Sequence, residues 1–160
     1  MPTFIVIPKR KMLPLQGDTT QPEPIGMPSS VVTPPAVEKM DLDTGIVFII
    51  DGGGSAITTG EKGHIRLPFA GRIISACLLA DQSGSIVIDI WKDIVANFPP
   101  TNADSITASA PPTLSSESAS LDSTLTGWTK TFAAGDILAF NVDSIATITR
   151  VTLTLIVRRT

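Results

Sequence analysis

The sequence predicts an all-β protein, an antiparallel jelly-roll-like β-sandwich preceded by a long, extended, proline-rich N-terminal arm. Three observations predict this fold. Eight of the 13 prolines lie at or before Pro35. After residue 44, short apolar stretches alternate with turn residues, and no window has the amphipathic pattern of a helix. The last such stretch alternates apolar residues with threonines, as expected of a strand with one buried face.

The prolines divide the chain into an arm, residues 1–44, and a sandwich domain, residues 45–160. Proline fixes φ, lacks a backbone donor and pushes the preceding residue into an extended conformation. A disordered tail is the alternative interpretation of this composition. We expect the arm to bind neighbouring subunits, with its basic residues either in an acidic groove or at a solvated tip. The expected contact residues are Phe4, Ile5, Ile7, Lys9, Arg10, Lys11, Leu13 and Leu15.

Strands are expected at residues 46–50, 64–69, 72–80 and 85–92, with turns at the glycine-rich segments 51–54 and 81–84. Gly135 and Asp136 open a further strand. The final strand follows it and ends near the C-terminus. The apolar residues expected on the buried faces of these two strands are Leu138, Phe140, Val142, Val151, Leu153, Leu155 and Val157.

Residues 93–127 contain two Pro-Pro pairs and many serines and threonines, but no lysine or arginine. This composition predicts a long surface loop with one short strand near Ile106 and a turn of helix around residues 116–121. Trp91, Phe98 and Trp128 flank the loop. We interpret the two indole rings as packing against the loop, and the alternative is a stacking platform for a sugar.

Composition excludes several classes of partner. The 160 residues carry a formal net charge of −3, without the basic patch that nucleic acid requires, so we expect no nucleic-acid partner. Cys77 is the single cysteine, lies in an apolar run and is expected to act as a small core residue. No apolar run is long enough to cross a membrane, so we expect a soluble protein made in a cytoplasm, with no membrane partner.

The sequence offers little catalytic chemistry. His64 is the only histidine and is expected to point outward from its strand. No Gly-x-Ser-x-Gly motif is present, and the glycines at 52–54 lack the Gly-Lys-Ser/Thr ending of a phosphate loop. The segment from Asp81 to Asp89 copies the start of a calcium loop, but Ile86 stands where that loop needs glycine. We therefore expect no catalytic, cofactor-binding or metal-binding residue, and a protein that is not an enzyme.

Asp89 lies in a strand that is apolar on both faces. Such a strand is expected to be covered on both sides, here by the sandwich core and by a sister subunit. A carboxylate in that position needs a partner, and Arg150, Arg72 or a backbone donor across a subunit boundary could supply it. The predicted subunit interface comprises Val87, Asp89, Trp91 and Arg150.

Four segments, residues 48–60, 79–92, 125–128 and 135–144, together resemble a module that is widespread in structural proteins of tailed bacteriophages. The resemblance covers about residues 45–159 and implies a virion protein, located on the head or on the tail. A stand-alone jelly roll with an extended arm is similar to capsid cement or decoration proteins. Those proteins typically sit as trimers at local threefold positions and hold neighbouring capsomers together.

Two functions follow from this resemblance. In the first, the protein is a capsid cement protein on the outer surface of the capsid, assembled in the host cytoplasm. It forms a homotrimer, and its arm clamps neighbouring copies of the major capsid protein. In the second, it is a tail-fibre or baseplate module that presents its Ser/Thr-rich loop, with Trp91 or Trp128, to a host surface glycan. The low charged fraction, 17%, favours the first, because it indicates surface covered by protein.

Overall fold

The computed structural model describes residues 42–160, and the predicted all-β class is confirmed there. The predicted arm contacts, from Phe4 to Leu15, lie outside the described residues. Two short 3-10 helices, Val95–Asn97 and Asn102–Asp104, follow the third strand. The strands are β1 (Asp43–Asp51), β2 (Gly60–Arg66), β3 (Gly71–Asp93), β4 (Thr113–Asp122), β5 (Thr131–Phe132), β6 (Ile137–Ala146) and β7 (Arg150–Arg159).

The strands form one antiparallel sheet in the order β1-β7-β3-β6-β2, with β4 and β5 also paired to β3. The central strand, β3, changes partner along its length. Residues 71–80 pair with β7, whereas residues 85–93 pair with β6. β4 pairs with both parts of β3 on its other side. The sheet is therefore curled, with a β1/β7 half and a β6/β2 half joined by β3.

The core lies between the two halves of the sheet. Phe48 of β1 stacks on Phe140 of β6, with ring centroids 4.1 Å apart, although these two strands are not hydrogen-bonded neighbours. Fully burying an aliphatic side chain contributes about 1.5–3 kcal/mol, so the last strand is a major source of stability. The alternation predicted for that strand is confirmed, since its four alternate apolar residues are fully buried: Val151, Leu153, Leu155 and Val157.

The predicted turn at residues 81–84 is wrong, because β3 continues through it for 23 residues. These residues lie where β3 exchanges β7 for β6, and the pairing of β3 with β4 shifts register between Leu79 and Gly84. Gly84 is needed there for close packing, since a Cβ at that position would lie 2.6 Å from the carbonyl oxygen of Ala146. Polar residues and glycine, which usually indicate that the chain reverses direction, here mark the point at which β3 changes its paired strand.

The predicted helical turn around residues 116–121 is also wrong, because this segment belongs to β4. Three of the six residues are serines, which contribute little to helix stability, and pairing with β3 decides the conformation. The loop after β3 is correspondingly shorter and covers residues 94–112. The short strand expected near Ile106 is reduced to a single bridge between Trp91 and Ser105. The strand expected at 64–69 instead spans Gly60–Arg66.

Candidate interaction surfaces

Asp89 is the centre of a hydrogen-bonded cluster inside the domain. Its side chain is buried, and one carboxylate oxygen accepts the indole N–H of Trp91 at 2.7 Å. The other oxygen accepts the backbone N–H of Ile90 at 2.7 Å, the hydroxyl of Ser105 at 2.8 Å and the hydroxyl of Thr107. Hydrogen bonds to an ionised acceptor are stronger than neutral ones, so this cluster offsets the cost of burying the charge.

The loop that supplies these hydroxyls is bound to β3 through its backbone. The N–H of Ile106 donates to the carbonyl of Ile90 at 2.9 Å, and the N–H of Ile88 donates to the carbonyl of Pro112 at 3.0 Å. Trp128 is 7% exposed, and its indole N–H donates to the carbonyl of Ala110 at 2.8 Å. Trp128 therefore packs the loop down, as interpreted from the sequence, and its ring is not free to stack on a sugar.

The predicted interface residues fall into two places. Val87, Asp89 and Trp91 share one face of β3, but the loop of the same chain covers Asp89. Arg150 begins β7, and its guanidinium lies 3.9 Å from the carboxylate of Asp51. The burial of Asp89 is thus accounted for within one chain, and it no longer argues for a sister subunit at this face.

A different surface presents exposed apolar residues. We call it the outer face: the side of β1, β7, the first half of β3 and the end of β4 that points away from the core. Strand pairing places its residues in two cross-strand rows. One row is Ile49, Thr152, Leu79 and Ala119, and the other is Val47, Thr154, Cys77 and Leu121. The expectation that Cys77 is a core residue is wrong, because it is half-buried and lies on this face.

The outer face is exposed and uncharged. Leu121 is 70% exposed, and Val47, Ile49 and Leu79 are each more than half exposed. Strands lie about 4.8 Å apart, so each four-residue row spans roughly 15 Å. An exposed, uncharged surface with four large apolar side chains, crossed by Thr152 and Thr154 of β7, is a candidate interaction site.

Charged pairs border the outer face at both ends of β1. At one end, Arg158 donates two hydrogen bonds to Asp43, at 2.7 and 3.0 Å, and they hold the pKa of the Asp43 carboxyl below its ordinary value. At the other end, Asp51 faces Arg150. An apolar centre with a polar rim is the usual anatomy of a protein–protein interface. The sequence signal for this surface was the run of five apolar residues at 46–50, which indicates a strand covered on both faces.

A second exposed apolar cluster lies on the loop after β3. Ile94, Val95 and Phe98 flank or belong to the first 3-10 helix, and each is 51–57% exposed. The ring of Phe98 meets the edge of the His64 imidazole, with centroids 4.7 Å apart. His64 also lies 3.0 Å from Glu61, and its side chain is 24% exposed rather than fully outward as expected.

A hydroxyl-lined groove lies beside the point where β3 changes partner. Its volume is about 250 Å³, and its lining includes Ser83, Ser85, Ser116 and Thr147. Ser116 and Thr147 have φ values of 59° and 69°, a region that β-branched residues such as threonine rarely adopt. Hydroxyl groups arranged in this way could donate hydrogen bonds to a neutral, hydroxylated ligand and accept hydrogen bonds from it.

Within residues 42–160, no group of three or more histidine, cysteine, aspartate or glutamate side chains could hold a metal ion. No helix in that same part of the chain is long and apolar enough to cross a membrane. Comparison with known proteins found no family model, no curated protein and no solved structure that matches the chain.

Proposed function

We propose that this protein is a non-enzymatic structural protein of a tailed-phage virion, specifically a capsid cement or decoration protein. In this proposal a jelly-roll-like domain forms a homotrimer, and the N-terminal arm clamps neighbouring copies of the major capsid protein. The observation that carries the proposal is the outer face, which exposes apolar residues such as Ile49 and Leu121 without a charge among them. The resemblance of four segments to phage virion modules supports the same conclusion.

The size of the outer face indicates why an arm would be needed. Four strands about 4.8 Å apart and five residues of about 3.3 Å give a projected area of roughly 200 Å². A stable protein–protein interface buries about 800 Å² on each partner. The outer face alone is too small, so a second contact must contribute most of the area. The residues before β1, with apolar side chains from Phe4 to Leu15, could supply it.

In this proposal the subunits of the trimer do not meet at Asp89 but at a neighbouring apolar cluster. The cluster of Ile94, Val95 and Phe98 lies directly after the strand that carries Trp91, and it exposes three large apolar side chains. Burying such side chains favours association, because each square ångström of apolar surface removed from water contributes about 25 cal/mol. The outer face is then available to the capsid while this cluster joins the subunits.

The test is co-sedimentation of the full-length protein with undecorated phage heads. We compare the wild type with the outer-face variant Ile49→Glu/Leu121→Glu and the arm variant Lys9→Glu/Arg10→Glu/Lys11→Glu. Ala134→Glu, at an exposed turn residue, is the matched control. We expect saturable binding of the wild type and the control, and at least tenfold weaker binding of the other two. Equal binding by all four proteins, or none by the wild type, would overturn the proposal.

The trimer is tested separately by analytical ultracentrifugation. The variant Val95→Glu/Phe98→Glu should sediment with a lower mass than the wild type, whereas Ile49→Glu/Leu121→Glu should retain at least the mass of a trimer. A trimer that survives Val95→Glu/Phe98→Glu would show that the subunits meet elsewhere.

The hydroxyl-lined groove favours a second candidate function, adhesion to a host surface glycan. In that case the glycan would bind at Ser83, Ser85, Ser116 and Thr147 rather than at the tryptophans, since Trp128 is buried and Trp91 donates to Asp89. The wild type would then bind host cells, and free neutral sugars would compete. Binding to cells that is lost in Ser85→Asp, together with no binding to heads, would establish adhesion in place of the cement function.

A further inference from the structure

Besides the two-residue β5, three strands within residues 42–160 pair on one side only, β1, β2 and β4, and they differ in how the open edge is protected. β4 pairs with β3 in an irregular register and carries Glu117. β1 pairs only with β7, and β2 pairs only with β6, among residues 42–160. β2 carries Glu61, Lys62 and Arg66, and its pairing with β6 is interrupted by a bulge between Glu61 and Gly63. β1 pairs with β7 over nine continuous positions, with no bulge and no charge between its two ends.

Charges and bulges are the devices that keep an edge strand from pairing with another chain. β2 has both, whereas β1 has neither in its central seven residues, 44–50. Val47 and Ile49 also expose more than half of their side chains beside that edge. An uncharged, regular and apolar edge is a docking site for an added strand.

Charge decides between two occupants of the β1 edge. A second β1 strand, paired antiparallel about Val47, would place Asp43 opposite Asp51 of the other copy. Like charges directly opposite each other destabilise a strand pair. Residues 3–7, Thr-Phe-Ile-Val-Ile, have no charge and consist of residues that favour strands. Pro8 follows and cannot donate to a ladder, so the added strand would end there.

The basic residues Lys9, Arg10 and Lys11 follow Pro8 immediately. Because β1 carries an aspartate at each end, this basic cluster would meet a carboxylate whichever way the added strand runs. Both carboxylates have room for a further cation, since the side chains of Asp43 and Asp51 are 44% and 51% exposed. The charge pattern of residues 3–11 is therefore complementary to β1 itself, whose two aspartates each also face an arginine of β7.

The connecting length favours a neighbouring copy over the same chain. Residues 8–42 include seven prolines. An extended proline-rich segment advances about 3.1 Å per residue, so these 35 residues could span on the order of 100 Å. A nine-residue strand such as β1 is only about 30 Å long. A segment of this length and composition is long enough to reach a neighbouring copy.

We propose that residues 3–7 of one copy add a strand to the β1 edge of another copy, with Lys9–Lys11 against Asp43 or Asp51. Such a contact is heterologous, so it links copies head to tail into rings or chains. The proposal concerns contacts between copies of this chain and is, for residues 3–11, an alternative to the contact with the major capsid protein proposed above.

The test is thiol cross-linking of full-length proteins in a Cys77→Ala background. One protein carries Ile5→Cys and a second carries Ile49→Cys, and a bismaleimide with a reach of about one strand spacing joins them. We expect a covalent dimer in the mixture, at least fivefold more than when Lys62→Cys on β2 replaces Ile49→Cys. Adding Lys9→Glu/Arg10→Glu/Lys11→Glu to the Ile5→Cys protein should reduce the yield at least fivefold.

Each contrary outcome overturns part or all of the proposal. A chain carrying both Ile5→Cys and Ile49→Cys that cross-links only within itself would place the segment on its own β1. A dimer formed by Ile49→Cys alone would indicate pairing of two β1 strands. Equal yields with Ile49→Cys and Lys62→Cys would show that the β1 edge is not the docking site.

Discussion

Asp81, in the middle of β3, accepts hydrogen bonds from Thr149, which lies between β6 and β7. The backbone N–H of Thr149 donates at 3.3 Å and its hydroxyl donates as well, while the N–H of the next residue, Arg150, donates at 3.1 Å. These bonds hold the β6–β7 connection against β3 where β3 changes partner. They also lower the pKa of the Asp81 carboxyl below its ordinary value, the hydroxyl of Thr149 being the largest cause.

The first prediction is that protonation of Asp81 at acid pH lowers the stability of the folded domain. Its pKa in the folded protein is lower than the ordinary value of 3.8. The stabilisation is therefore complete above pH 3.8 and is lost as the pH falls through the lower folded-state pKa. Asp81→Asn should have a lower midpoint of thermal unfolding than the wild type at about pH 7, with a smaller difference at about pH 2.5. The same difference at both values would contradict this role.

The second prediction concerns the cluster around Asp89. Asp89→Ala removes the acceptor for Trp91, Ser105 and Thr107 in a buried site, which should destabilise the domain by about 3 kcal/mol. Urea unfolding followed by tryptophan fluorescence measures this loss. Asp143→Ala, at an exposed carboxylate, should change stability by less than about 0.5 kcal/mol.

The same measurement separates the cluster from a subunit interface. If the bonds lie within one chain, the loss caused by Asp89→Ala is independent of protein concentration. If the loss of stability becomes smaller at higher protein concentration, Asp89 lies at an interface between subunits, as the sequence predicted.

The sequence predicted well where one physical signal dominated. The alternation of apolar residues and threonines identified β7 as a strand with one buried face. A period of two is typical of such a strand and does not fit a helix. The apolar strand around Asp89 was correctly expected to be covered on both sides, but the cover was assigned to a second subunit. The structure gives this role to Ser105 and Thr107, which are 16 and 18 residues away, and no local pattern specifies which distant hydroxyl will meet a carboxylate.

The errors share a different cause. The segment 81–84 and the segment 116–121 both contain residues that favour turns or have weak preferences. Segment 116–121 is held by pairing with β3, which is distant in sequence. Segment 81–84 joins the part of β3 that pairs with β7 to the part that pairs with β6. The outer face was missed for the same reason, because its rows join residues as far apart as Val47 and Leu121. Only the apolar run at 46–50 indicated it in advance.

The third prediction tests which face of β1 is buried. Phe48 stacks on Phe140, whereas its neighbour Val47 points away from the core. Phe48→Ala should destabilise the domain by about 3 kcal/mol through lost burial and a new cavity. Val47→Ala should cost less than about 0.5 kcal/mol. Chemical denaturation of the two variants gives the comparison, and equal losses would contradict the assignment of the outer face.

The fourth prediction tests whether β3 is continuous at Gly84. A Cβ there would lie 2.6 Å from the carbonyl oxygen of Ala146 and from a side-chain carbon of Ile148. Gly84→Ala should therefore force strands β3 and β6 apart and cost about 1–3 kcal/mol, as overpacking does.

Gly45→Ala in β1 is the matched control for Gly84→Ala, because the nearest atom to its Cβ would be 3.9 Å away and its backbone is not in the left-handed region. It should leave stability unchanged or slightly raise it, since alanine restricts the unfolded chain more than glycine does. Both variants are compared by thermal unfolding. If residues 81–84 instead formed a solvent-exposed turn, Gly84→Ala would be no more harmful than Gly45→Ala. The difference between the two unfolding midpoints therefore reports directly on the passage of β3 from one half of the sheet to the other.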